Sequence, residues 1–123
     1  MENQNVMVVY SWTAKEGKSE ELKAIYTEVT EQMNTNEPGA WKVYCYFDES
    51  TSRLIELDVF VDAGAVGFHL STTAAGHFEN LLQIATPGEF LFCGDVPDEM
   101  KQAALGMGLK ATFAPVIFGF ERI

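Results

Sequence analysis

Glu56 and Asp58 stand two residues apart in a run that alternates as a strand does, so Leu54, Glu56, Asp58 and Phe60 share one face. Two carboxyls thus lie beside an apolar and an aromatic residue, a half-buried acidic pair suited to general acid and base work. Tyr10, Trp12, Tyr44 and Tyr46 fall on other strand-like runs and could line a pocket with hydroxyl and indole donors. The structural alternatives are an acid solvated at a sheet edge and aromatics that simply fill a core. His69 and His77 are eight residues apart, and Cys45 and Cys93 are 48 apart, so neither pair gives a local zinc spacing. No metal or cofactor is implied. Gly106, Gly108 and Ala111 match the spacing of a dinucleotide fingerprint but follow a helix and precede a strand, the reverse of what phosphate binding requires. A nucleophile elbow and a phosphate loop are both missing from the sequence.

The elements that must position these residues can be read from period and punctuation. Val6 to Thr13 alternates as a first strand, and a helix capped by Ser19 follows, with Leu22, Ile25, Tyr26, Val29 and Met33 in one stripe. Pro38-Gly39 ends that helix. Trp41 to Phe47 and Arg53 to Val61 then form an antiparallel hairpin across the polar segment 48–52. Asp62 caps a helical region through Ala63, Val66 and Leu70 that is broken by small polar residues 71–76 and resumes at Phe78, Leu81 and Leu82. Glu89 to Cys93 reads as a buried fourth strand. A short helix opened by Asp95 and Pro97, closing near Gly106 or Gly108, leads to a long last strand from Ala111 to Arg122. Pro115 places that strand at an edge or a bulge.

This order is the split βαβ pattern of an α+β, ferredoxin-like fold, an antiparallel sheet with helices on one face. The other face would carry Met7 and Val9, or their apolar alternates, with Ile55, Leu57, Val59 and Val61. Such a surface calls for a partner, and a two-fold homodimer packed sheet to sheet is the commonest solution. Residues 1–123 are expected to form a single domain, with 97–123 as an extra helix and strand at the dimer contact.

Composition bounds the function classes. Hydrophobic residues make up 47% and charged ones 21%, as in an ordinary globular chain. Eight basic against 18 acidic residues give a net charge of −10, which disfavours nucleic acid and anionic membrane surfaces as partners. The segment Met1 to Asn5 lacks signal-peptide character and the cysteines sit in apolar runs, so free thiols and a cytoplasmic location are expected.

Leu57-Asp58-Val59-Phe60, Ala65-Val66, Phe68-His69-Leu70-Ser71 and His77-Phe78 together resemble the antibiotic biosynthesis monooxygenase family, of dimeric α/β barrel architecture. The family's acidic position falls on Asp58, its aromatic on Phe60 and its two histidines on His69 and His77. Phe60 replaces the usual tryptophan, and Thr73-Ala74-Ala75 looks like an insertion between the histidine pairs. The haem-degrading branch is disfavoured, because Tyr10, His69 and Leu82 stand where its asparagine, tryptophan and histidine would be. The resemblance implies cofactor-independent oxygenation of a small phenol- or quinol-like aromatic substrate, whose own electrons reduce dioxygen once it is deprotonated. A histidine suits the base because its unperturbed pKa is about 6.5. His69 takes that role, with Asp58 or Glu56 orienting its ring. Tyr10, Trp12, Tyr46, Glu56, Phe60 and His77 are the expected substrate contacts. The competing expectation is a non-catalytic dimeric module of the same fold that binds a small molecule or assists assembly.

Overall fold

A computed structural model describes residues 4–122. The reading of Met1 to Asn3 and of Ile123 lies outside the described residues. Strand β1 (Val6–Ala14) forms the middle of the sheet and pairs antiparallel with β3 (Arg53–Phe60), which pairs in turn with β2 (Ala40–Asp48). On its other side β1 pairs antiparallel with β5 (Phe90–Cys93) and with the three-residue strand β4 (Ala85–Pro87). The order β2-β3-β1-β5 is that of a ferredoxin-like sheet, with β6 (Ala111–Ala114) added beyond β5. Because β6 runs parallel to β5, the six-stranded sheet is mixed rather than wholly antiparallel.

Helix α1 (Ser19–Asn36) buries Leu22, Tyr26, Val29 and Met33, the stripe its spacing requires. Its cap differs from expectation: Ser19 is already helical, and Lys18 precedes it without a side-chain cap. Asp62 does cap α2 (Ala63–His69), accepting from the Ala65 N–H at 3.0 Å. The expected break after α2 is instead a continuous π-helical turn over Leu70–Ala74 that runs into α3 (Ala75–Ile84). The Thr72 and Ser71 hydroxyls donate to the Phe68 carbonyl at 2.6 and 3.2 Å, and such side-chain bonds loosen the regular ladder where one extra residue must be absorbed.

The last strand is much shorter than the alternation predicts. It ends at Ala114, since Pro115 has no N–H to donate, and 115–122 runs on with Ile117, Phe118 and Phe120 exposed at 87%, 84% and 79%. Helix α4 (Asp98–Gly106) meets α2 where Gly67 leaves room: a Cβ there would stand 3.1 Å from the Met100 methyl.

Register decides which residues face the helices. Tyr10 lies opposite Glu56, Val8 opposite Asp58 and Trp12 opposite Leu54, and these side chains form the buried layer with Phe60, Phe90 and Phe92. Met7 and Val9 pair with Val59 and Leu57 on the outer face, joined there by Tyr44 and Tyr46 from β2. No helix among the described residues is long and apolar enough to cross a membrane.

Candidate functional site

His69 ends α2 with its ring in the buried layer, tilted against Phe60 at 5.4 Å between centroids. Its Nδ1 lies 2.9 and 3.1 Å from the two carboxyl oxygens of Glu37, and both side chains are almost wholly buried. An ionised carboxylate can only accept, so Nδ1 carries a proton, and the neutral ring is the tautomer whose lone pair is on Nε2.

Glu37 reaches this place through α1. The buried positions 22, 26, 29 and 33 continue to 37, where the chain leaves the helix with the Glu37 N–H donated to the Met33 carbonyl at 3.0 Å. Its own carbonyl accepts from the Ala40 N–H at 3.0 Å, which fixes the residue from both sides. Gly39 then allows close approach of α2, because a Cβ there would stand 2.6 Å from the Ala65 Cβ. Burial pushes the Glu37 carboxyl up, but hydrogen bonds from His69 and from Thr73 in the π turn outweigh it and hold it below its ordinary value.

The ring's orienter is therefore Glu37, and the expectation that Asp58 or Glu56 would serve is corrected. The turn at Pro38-Gly39 brings the end of α1, not strand β3, against Nδ1. Asp58 and Glu56 do share a face and are buried at 1% and 0% exposure, but no hydrogen-bond donor satisfies any of their four oxygens. Burial pushes Glu56 up to about 7, opposed only by Asp58 and the Cys45 thiol, which are themselves acids. Burial, then the neighbouring Glu56, pushes Asp58 well above the ordinary carboxyl range, with His69 opposing. Two adjacent buried carboxyls without a cation are both biased toward their protonated forms.

Between these two pairs lies a cavity of about 40 Å³, lined by Asp58 and Phe60 from the sheet, His69 and His77 from the helices, and Met107 and Leu109 from the end of α4. Tyr10 and Trp12 line it as expected, and Glu56 sits behind Asp58 without reaching it. His77 is fixed by its Nε2–H, which donates to Gln32 Oε1 at 2.8 Å. Tyr46 does not join them: register turns it to the outer face, 53% exposed, and Tyr44 goes with it, so both expectations are corrected. Three contributors were not anticipated: Glu37, Thr73 and Tyr26, whose hydroxyl donates to that of Tyr10 at 3.2 Å. Tyr26 and Glu37 both lie on the buried stripe of α1, which was the available signal. No lysine or arginine lines the cavity, and no three metal-ligating side chains converge among the described residues.

No family model and no curated protein matches the sequence. Solved structures do match the fold. MupZ from Pseudomonas fluorescens superposes with a TM-score of 0.84 at 19% identity, over 99% of this chain and 92% of its own. A Bacteroides thetaiotaomicron protein provisionally assigned as an antibiotic biosynthesis monooxygenase gives 0.63 at 19% identity, over 69% and 84%. SnoaB, a cofactor-independent oxygenase from Streptomyces nogalater, gives 0.63 at 15% identity, over 72% and 90%. The match to MupZ takes in α4 and β6, so the added segment is part of a shared architecture.

Proposed function

We propose that this chain, which carries the fold of the antibiotic biosynthesis monooxygenases, is a cofactor-independent oxygenase of a small phenol- or quinol-like substrate. The observation that carries the reading is the His69 ring, held through Nδ1 by both oxygens of Glu37 so that Nε2 is a base in an apolar, cation-free cavity. Nε2 takes the substrate's O–H proton. The phenolate passes electrons to dioxygen and a carbon–oxygen bond forms at a ring carbon that bears hydrogen, giving a peroxide that accepts a proton from Asp58. Loss of that ring proton as the O–O bond breaks releases water and leaves a quinone, and the proton taken by His69 restores Asp58, so a phenol and dioxygen become a quinone and water. His77, Tyr10, Trp12 and Phe60 are the proposed walls of the substrate site.

A cavity of about 40 Å³ is smaller than the roughly 150 Å³ that holds benzene, so substrate must displace lining side chains, of which Met107 is the most adaptable. That small volume is also what favours the second reading, a non-catalytic module of the same fold. Oxygen uptake and quinone absorbance with a panel of hydroquinones separate the two. Uptake by the wild type that His69→Ala removes supports the oxygenase; ligand-induced thermal shift without uptake by the wild type overturns it in favour of the module.

The proposed assembly is a cytoplasmic homodimer. Its support is the outer sheet face, where Met7, Tyr44, Tyr46 and Leu91 are exposed among half-buried aliphatics, together with the apolar segment 115–122. The segment 97–123 is proposed to extend that contact. The net charge of −10 argues against nucleic acid or an anionic membrane as partner.

A further inference from the structure

We infer that Asp58 and Glu56, with the Tyr10 and Tyr26 hydroxyls beside them, form a hydrogen-bond-donating subsite for a substrate carbonyl oxygen, so that the site takes a neutral carbonyl compound and enolises it without dioxygen. The inference rests on His69 being the base, as proposed above, but not on oxygenation. The starting point is a count of donors. All four oxygens of the acid pair are buried without a well-formed hydrogen bond, and the donor beside them is the weak Cys45 thiol at Glu56, which leaves Asp58 with none outside the pair. As two anions they would be desolvated and unpaired, the costliest arrangement available to them; as neutral acids they carry two O–H groups. One O–H can be used between the two carboxyls, which leaves the other for a guest, and Asp58 is the member that lines the cavity. The two tyrosines repeat the pattern: two hydroxyl protons, one spent in the 3.2 Å bond between them. Burial pushes both phenols well above their ordinary range, so both remain donors.

A neighbouring group points the same way. Trp12 lines the cavity, and its indole N–H, buried without a well-formed hydrogen bond, has the Tyr26 hydroxyl as its partner, which adds a donor to that same cluster. A largely apolar cavity wall that holds Asp58 and Tyr10 among its few polar groups, with no lysine or arginine, selects an uncharged acceptor oxygen over a carboxylate, which would meet an acid and no counter-charge from a lysine or arginine. A neutral carboxylic acid beside a tyrosine in an apolar pocket is a known way to hold a developing enolate oxygen.

The chemistry closes without an oxidant. His69 Nε2 takes a proton from the carbon next to the carbonyl, and that C–H pair becomes the carbon–carbon double bond. The carbonyl pair moves to oxygen, where Asp58 donates its O–H. Return of a proton from the imidazolium to the same or a conjugated carbon, with the enol O–H proton passing back to the Asp58 carboxylate, restores a carbonyl compound and both protein groups.

The test follows α-carbon deuterium exchange of 2-tetralone by NMR in D₂O under argon, with binding of 2-naphthol, a planar mimic of its enol, as the second readout. The wild type is expected to exchange faster than buffer. Asp58→Asn, which keeps shape and a weak N–H donor but has no acidic proton to transfer, is expected to lose about 100-fold or more of that rate, as loss of a general acid does. Glu56→Gln should lose less, since Glu56 does not line the cavity. Wild-type exchange no faster than buffer, whether or not 2-naphthol binds, overturns the inference. Exchange that His69→Ala removes and Asp58→Asn leaves intact overturns the acid subsite while keeping the base. Oxygen uptake from hydroquinones is scored separately, so failure of oxygenation and failure of this subsite give different results.

Discussion

Two pairs of side chains occupy opposite walls of the same buried layer, one on the helices and one on the sheet. On the helix wall, Glu37 binds Nδ1 of His69 through both oxygens and is held below its ordinary value. On the sheet wall, Glu56 and Asp58 show as little exposure, have no donor beyond each other and the weak Cys45 thiol at Glu56, and are pushed up. All three are carboxyls removed from water. Low exposure alone therefore does not fix whether such a group is an anion or an acid here; donors that offset desolvation of the charged form separate Glu37 from the other two. The same cavity is left with an oriented imidazole on one side and carboxyls biased toward their protonated forms on the other, the separation that the proposed proton transfer uses.

The contrast can be broken most strongly at Glu37. Glu37→Gln retains a hydrogen bond to the ring but allows the wrong tautomer, and turnover of an oxygenated or enolised substrate is expected to fall by about 10²- to 10⁴-fold while the fold persists. Steady-state kinetics together with circular dichroism check both parts. Unaltered turnover would remove the helix wall from the mechanism.

The two walls also oppose each other in pH. Glu37 is lowered on folding, so its contribution is present above the ordinary carboxyl value and is lost as pH falls through the folded one. Glu56 moves from 4.5 to about 7, so the unfolded chain sheds its proton first as pH rises. Stability from this group is full below about 4.5, declines through the interval and levels off above about 7, a difference of roughly 3 kcal/mol. Asp58 acts in the same direction. Denaturant unfolding is thus expected to show lower stability at pH 8 than at pH 5, and Glu56→Gln to flatten the slope. A wild-type stability that rises across this range contradicts the sheet-wall assignment.

The smaller tests lie outside the cavity. Leu57→Lys places a charge in the middle of the outer face, opposite Val9, and sedimentation is expected to show a dimer for the wild type and a monomer for the variant. Tyr46→Ala, on that same face, should leave turnover within about twofold, with its effect falling on dimer affinity instead. A large loss of turnover in Tyr46→Ala would return that side chain to the site from which register removes it.

Much of the architecture was legible because alternation and helical spacing are local signals. The strand face Leu54, Glu56, Asp58 and Phe60, the stripe of α1 and the cap at Asp62 follow from neighbours in sequence. Tyr46 was misplaced because alternation says which residues share a face but not which face is covered; that depends on pairing across β3. The last strand was read too long because apolar content continues past Pro115 although the hydrogen-bond ladder cannot. Glu37 was hidden for a different reason. Its contact with His69 spans 32 residues and depends on a glycine turn that no periodicity reports, although its place one turn beyond Met33 on the buried stripe marked it as a carboxyl that would need a partner.

The most direct measurement is the titration of the Glu37, Glu56 and Asp58 carboxyl carbons by ¹³C NMR in selectively labelled protein. The account predicts that near pH 6 Glu37 is ionised while Glu56 and Asp58 still hold protons, with Glu56 titrating at about 7. Three carboxyls already ionised together by pH 5, in a folded protein, would contradict it.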